Sequence, residues 1–366
     1  MLDPSQARRR QKRMLDVLQA RQLDAAVFGW SKNVYYFTAH FPFWQHHVGL
    51  VLFADGRSVL ITANKPDNAA TADEVRSYEA TWNGTQRQDQ PSLVGEALAG
   101  AVAERRAERI GIDSSAATAM FSATAAKSCI PIDADVWQLR RRKDPDELAL
   151  MKVAIDCTAA MYRRARQIIE PGIGELDVFN ALQDAAVAVA GEPLSDYLGN
   201  DYACGVPGGP PHKDRRAEAG QLYILDLGPA YRGYFSDNAR TISVDRRPTD
   251  PQMEAWRLVT GTFPIVQRMA RAGTRCRDIF QAVDAYYRET CGKPFPHHLG
   301  HGVGLQPHEF PHLNPKWDDV LIEGEIFTCE PGFYGPELAG GLRIENQYLV
   351  RADRIENLTP FPMEYV

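Results

Sequence analysis

The chain has 366 residues, long enough for two domains, or one large one, around a sizeable core. Its formal net charge of -6 offers no argument for nucleic acid or an anionic membrane as partner. No apolar run is long enough to span a bilayer, and the polar N-terminus lacks the core of a secretory signal. Six scattered cysteines without CxxC spacing read as reduced thiols, so a cytoplasmic protein is expected.

In chain order, residues 6–22 predict an amphipathic helix with the basic run 8–13 on its solvated face. Residues 25–29 and 48–53 read as strands, and Asp55-Gly56 as a hairpin turn before a third strand at 58–62. This alternation predicts a small mixed sheet flanked by helices, forming a first domain over 1–138. The aromatic segment 30–47 serves either core packing or a surface that meets a partner subunit or caps a pocket.

A second domain, 139–366, begins near Trp137 to Lys143. Asp144-Pro145-Asp146-Glu147 supplies an N-cap, a proline at the first helical position and an acid at the third. Leu148, Met151, Ile155, Ala159 and Tyr162 follow at helical spacing, and Glu170-Pro171-Gly172 ends the run. Asp250-Pro251 is expected to open another helix in the same way.

From here the chain copies itself. Gly172, Asp177, Phe179 and Ala181 recur as Gly273, Asp278, Phe280 and Ala282. The stretch from Gly220 through Asp226 to Gly228 matches that from Gly324 through Glu330 to Gly332, glycine for glycine and acid for acid. A second acid follows each copy, Asp237 and then Glu345. Each half therefore predicts two helices and an antiparallel strand pair. The halves are expected to join about a pseudo-twofold axis with their acids facing one another.

Side chains in a strand alternate between faces, so Leu222, Ile224 and Asp226 share one face, as do Ile326, Thr328 and Glu330. An unpaired buried carboxylate is costly, and four that converge repel; a pair of divalent cations relieves both. The alternative is that each acid sits in a turn or pairs with Arg240 or Arg343. Between the copies lie His297, His301 and His308, with glycines at 300, 302 and 304 that allow close backbone approach. A carboxylate-rich set with one imidazole and no thiolate suits Mn²⁺, with Co²⁺ or Zn²⁺ as alternatives.

The motifs Asp226-Leu-Gly, Ser236-Asp-Asn-Ala-Arg-Thr241, His301-Gly-Val-Gly, His308-Glu-Phe-Pro, Thr328-Cys-Glu-Pro-Gly and Arg343-Ile-Glu345 resemble those of the pita-bread metallopeptidases, peptidase family M24. The two-domain layout is similar to the prolidase and aminopeptidase P type. The resemblance implies an α/β (α+β) chain: a creatinase-like mixed α/β domain, then a pita-bread domain with a pseudo-twofold repeat. It implies two divalent metal ions, one held by Asp226, the other by His301 and Glu330, with Asp237 and Glu345 bridging. The implied reaction is hydrolysis of the peptide bond preceding proline by a hydroxide bridging the metals. Glu330 would shuttle the proton, His308 would donate to the tetrahedral oxygen, and His212 would contact substrate near the metals. His297, Arg343 and Tyr334 would be further substrate contacts. A proline-containing peptide and a second copy of the chain, in a homodimer, are the implied partners. Dipeptidase and aminopeptidase both fit. A metal-dependent lyase or hydrolase of a small non-peptide substrate is the alternative, and an inactive peptide-binding module a more remote one.

Overall fold

A computed structural model describes residues 1–64, 70–125, 128–196 and 199–365. The chain divides into two compact units, Met1–Arg140 and Arg141–Val366. Among the described residues no helix is long and apolar enough to cross a membrane.

The first unit opens with the helix Pro4–Arg21, whose N-cap Asp3 accepts from the Ser5 N–H at 2.6 Å. Its sheet has six strands in the order Glu74–Tyr78, Ser58–Ala63, Gly49–Phe53, Ala25–Phe28, Arg109–Ile112, Ser128–Pro131. Pairing is antiparallel about Gly49–Phe53 and parallel toward both edges, so the sheet is mixed. Val94, Leu98 and Phe121 from two helices pack on Val27, Val51 and Ile61. The aromatic segment splits. Tyr35, Tyr36 and Phe37 are buried on the helix Ser31–Thr38, while Phe43 and Trp44 are exposed beyond it.

The second unit carries the duplication. Helix Pro145–Ile168 starts with a reciprocal capping box between Asp144 and Glu147. The matching helix, Asp250–Thr260, is capped one residue earlier than the sequence expectation, by Thr249. Thr249 exchanges bonds with Gln252, three residues on, so Asp250 falls inside the first turn and Pro251 after it. The first half contains the three-stranded sheet Asn238–Ser243, Leu222–Leu227, Gly199–Cys204. The second half contains a five-stranded sheet ordered Glu309–Leu313, Gly300–Gly302, Ile326–Cys329, Asn346–Val350, Ile355–Asn357.

Alternation along the two acid-bearing strands sorts their faces. Tyr223, Leu225 and Leu227 pack against the helical residues Tyr162, Val178 and Leu182. Phe327 and Cys329 pack against Val259, Ile279 and Val283. Asp226 and Glu330 are thereby turned away from the helices. The sheets meet where the Glu345 N–H donates to the Ala239 carbonyl at 2.9 Å, and where Arg240 and the Asn238 amide donate to the Glu345 carbonyl. Arg240 thus serves backbone carbonyls at this junction.

Candidate metal centre

Four carboxylates meet where the halves join. Asp226, Asp237, Glu330 and Glu345 are all buried. Asp226 Oδ1 and both carboxylate oxygens of Glu345 have no hydrogen-bond partner among the described residues. Burial pushes the Asp237 and Glu345 carboxyls well above the usual range, and repulsion from the other acids adds to it. Asp226 is raised for the same leading reason, although Arg343 opposes the shift. Unpaired acid oxygens in a dry site call for either a proton or a cation, and this donor set fits divalent ions.

His301 is built into the cluster by its glycines. A Cβ on Gly300 would land on the Thr328 carbonyl oxygen, and one on Gly302 on the Phe310 carbonyl oxygen. The His301 N–H donates to Thr328 Oγ1 at 3.1 Å. Its Nδ1 lies 3.0 Å from the Gly302 carbonyl, which can only accept, so Nδ1 carries the proton. Nε2 is left to face Glu330 at 3.3 Å and Asp237 at 3.7 Å, as a metal-binding imidazole requires. Ligand atoms from Asp237, His301 and Glu345 lie within 4.8 Å of one another, close enough for one ion.

The remaining expected residues fall into two groups. His308 stacks on His301, ring centroids 3.6 Å apart at 14°. Lost hydration on its packed flank, with His301 alongside, pushes His308 down to about 4. His297 Nδ1 donates to the His298 carbonyl at 2.7 Å, and its Nε2 accepts from the Tyr334 hydroxyl at 3.2 Å. The same hydroxyl accepts from Arg343 at 3.0 Å, and Arg343 donates to Asp226 at 2.7 Å. His212 is exposed at the start of a turn, its carbonyl accepting from the Arg215 N–H. Its backbone N–H donates at 2.7 Å to Glu175, a buried acid that also accepts from Cys204 and Arg215.

Two residues that sequence reasoning missed contact the cluster. His298 Nε2 lies 2.9 Å from Glu330 Oε1. Burial alone would raise Glu330, but the hydrogen bond from His298, with His301 close by, outweighs it and holds this carboxylate well below the ordinary range. Asp201 bonds to Arg343 from the strand beside Asp226. The doubled histidine at 297–298 was a signal for the first; nothing local marked Asp201. Behind His308, Lys143 lies 3.3 Å from Glu309 in a fully buried ion pair, and Glu309 also accepts from the Gln306 N–H.

The profile of Metallopeptidase family M24 matches residues 149–352, more than half of the chain. That of the creatinase/prolidase N-terminal domain matches residues 10–141. An uncharacterized peptidase of Bacillus subtilis is 26% identical over 358 residues, covering 94% of this chain and 96% of its own length. One of Staphylococcus aureus is 27% identical over 360 residues, covering 95% and 98%. An Xaa-Pro dipeptidase from Bacillus anthracis superposes with a TM-score of 0.84 at 24% identity, over 98% of this chain and 99% of that one. A prolidase from Pyrococcus furiosus gives 0.79 at 24% identity, over 95% and 99%. At those identities the solved structures establish the fold, an N-terminal creatinase-type domain followed by a pita-bread domain. With both profiles matched in this order, the chain belongs to metallopeptidase family M24.

Proposed function

We propose that this chain hydrolyses the peptide bond preceding proline, as an Xaa-Pro dipeptidase or aminopeptidase dependent on two divalent metal ions. The observation that carries the reading is the buried quartet of carboxylates, with three oxygens lacking a hydrogen-bond partner among the described residues and His301 Nε2 turned toward it. Asp226 would hold one ion, His301 and Glu330 the other, and Asp237 and Glu345 would bridge them. When bound, the ions supply Lewis acidity, lowering the pKa of a water and polarising the scissile carbonyl. Mn²⁺ best suits these ligands.

The chain's own groups then do the following. A Glu330 oxygen takes the proton of the attacking water and passes it to the departing proline nitrogen. His308, neutral at pH 7, donates from a ring N–H to the oxygen that develops charge. His297 and Tyr334, already joined to each other, orient the substrate, and Arg343 steadies Asp226 beside them. His212 would reach the substrate from its turn. An Xaa-Pro dipeptidase, a prolidase and an X-Pro aminopeptidase among solved structures of this fold support the choice of substrate. The same reading expects a cytoplasmic homodimer.

The test is a panel of Xaa-Pro dipeptides, longer Xaa-Pro peptides and non-proline amides, assayed with the stripped protein before and after Mn²⁺ is added. Cleavage confined to proline substrates and dependent on metal is expected. Cleavage of dipeptides alone would assign a dipeptidase. Turnover of none of them by fully metal-loaded protein would refute the proposal and point to a small non-peptide substrate.

A further inference from the structure

Asp201 lies directly opposite Asp226 on neighbouring antiparallel strands, and the ladder shifts register immediately after that pair. Two acids placed face to face across a ladder repel unless a cation lies between them. Arg343 fills that role. Its Nη2 donates to Asp201 Oδ2 and also, at 2.7 Å, to Asp226 Oδ2. Its Nη1 donates to Tyr334 at 3.0 Å, whose hydroxyl passes the chain on to His297. Both side chains are largely out of water, Asp201 at 12% exposure and Arg343 at 14%, so solvent screens their charges little.

The glycine-rich segment 205–209 wraps this carboxylate. The Gly209 N–H donates to Asp201 Oδ1 at 2.6 Å, while the Tyr202 N–H donates to the Gly209 carbonyl at 2.9 Å. A Cβ on Gly208 would fall 2.9 Å from Asp201 Oδ1. Backbone can approach the acid this closely only where side chains are absent. The loop and the guanidinium together leave Asp201 little freedom.

An arginine bonded to Asp226 without Asp201 would use up the charge of that carboxylate and set a guanidinium against a site built for cations, in a region of low effective dielectric. With Asp201 present, the guanidinium occupies Asp226 Oδ2 and leaves Oδ1 without a partner among the described residues. We propose that Asp201 is a positioning residue for the metal centre. By sharing Arg343 with Asp226, it fixes the orientation of Asp226 and cancels the charge that would otherwise repel the incoming ions. This rests on the dimetal reading above. It also means that a substrate carboxylate can reach Arg343 Nη2 only in competition with Asp201.

The substitution Asp201→Asn keeps the oxygen that accepts from Gly209 and removes the charge. Calorimetric binding of Mn²⁺ to chelator-stripped protein is the readout, with thermal melting of the stripped protein beside it. Wild type is expected to take up two ions per chain, and D201N to bind roughly 10–100-fold more weakly, the usual cost of losing a partner behind a ligand. If Asp201 merely holds its loop, D201N lowers the melting temperature and leaves affinity within twofold of wild type, which overturns the proposal. Should D201N not fold, Arg343→Lys decides. One ammonium cannot serve Asp201, Asp226 and Tyr334 together, so a comparable loss of affinity is expected, and affinity within twofold of wild type overturns the idea. Failure of wild type itself to bind Mn²⁺ would remove the dimetal reading and this one together. Normal binding by wild type with no change in D201N would remove this one alone.

Discussion

The two halves of the second unit carry matching acids on matching strands, yet surround them with different partners. In the first half Asp226 meets a guanidinium that it shares with Asp201. In the second half Glu330 meets two imidazoles, His298 and His301. Burial acts on both acids. It prevails at Asp226, whose carboxyl is raised, and it loses at Glu330, whose carboxylate is held low by its histidines. Duplication therefore copied the backbone that delivers each acid, while neighbours that the repeat does not duplicate set its chemistry. Glu330 is held deprotonated, the form a proton acceptor starts from, at a cost in proton affinity; Asp226, clamped by arginine, suits a fixed ligand.

The sharpest way to break this comparison is at the residues that serve both halves. Asp237 and Glu345 should each be indispensable, so D237A and E345A are expected to lose bound metal and Xaa-Pro cleavage to below detection. Plasma emission analysis of the purified variants checks this, and full activity in either would end the bridging role. The next largest effect is expected at the proposed base. E330Q keeps the size of the side chain and removes its proton affinity, so kcat should fall by roughly 10²–10⁴. An equal fall in D226N with metal fully bound would show that the halves do not divide ligand and base as argued.

A smaller effect isolates the imidazole specific to the second half. H298A removes the hydrogen bond that orients the Glu330 carboxylate, and activity should drop roughly 10–100-fold with the folded state intact. Steady-state kinetics beside a thermal melt read this, and unchanged kinetics would make His298 a bystander. The smallest effect compares the helix starts. T249A and D144A each remove one member of a reciprocal cap, and each should cost about 1 kcal/mol in urea denaturation while leaving kcat alone.

Those caps show how far local sequence reaches. Asp144, Pro145 and Glu147 spelled a helix start, and the capping box forms there. At the second start Thr249 and Asp250 are both able to cap, and the sequence reading chose the wrong one by a residue. Gln252 settles it, because only Thr249 stands three residues before it and beside a reciprocal partner. Strand faces were legible for a similar reason. Alternation is a property of neighbouring residues, so placing Asp226 opposite Tyr223 and Leu225 needed no distant contact.

By itself, the sequence determined which strands carry acids, where the chain repeats and where glycine must flank a histidine, because backbone geometry reads those over a few residues. The partners of the acids were decided only in three dimensions. Arg343 reaches Asp226 across 117 residues and Asp201 across 142. His298 rather than His297 turns to Glu330, although the two rings are adjacent in the chain. Strand register and sheet junction, not local pattern, bring those groups within bonding distance, since a shift of one residue would send every side chain to the opposite face.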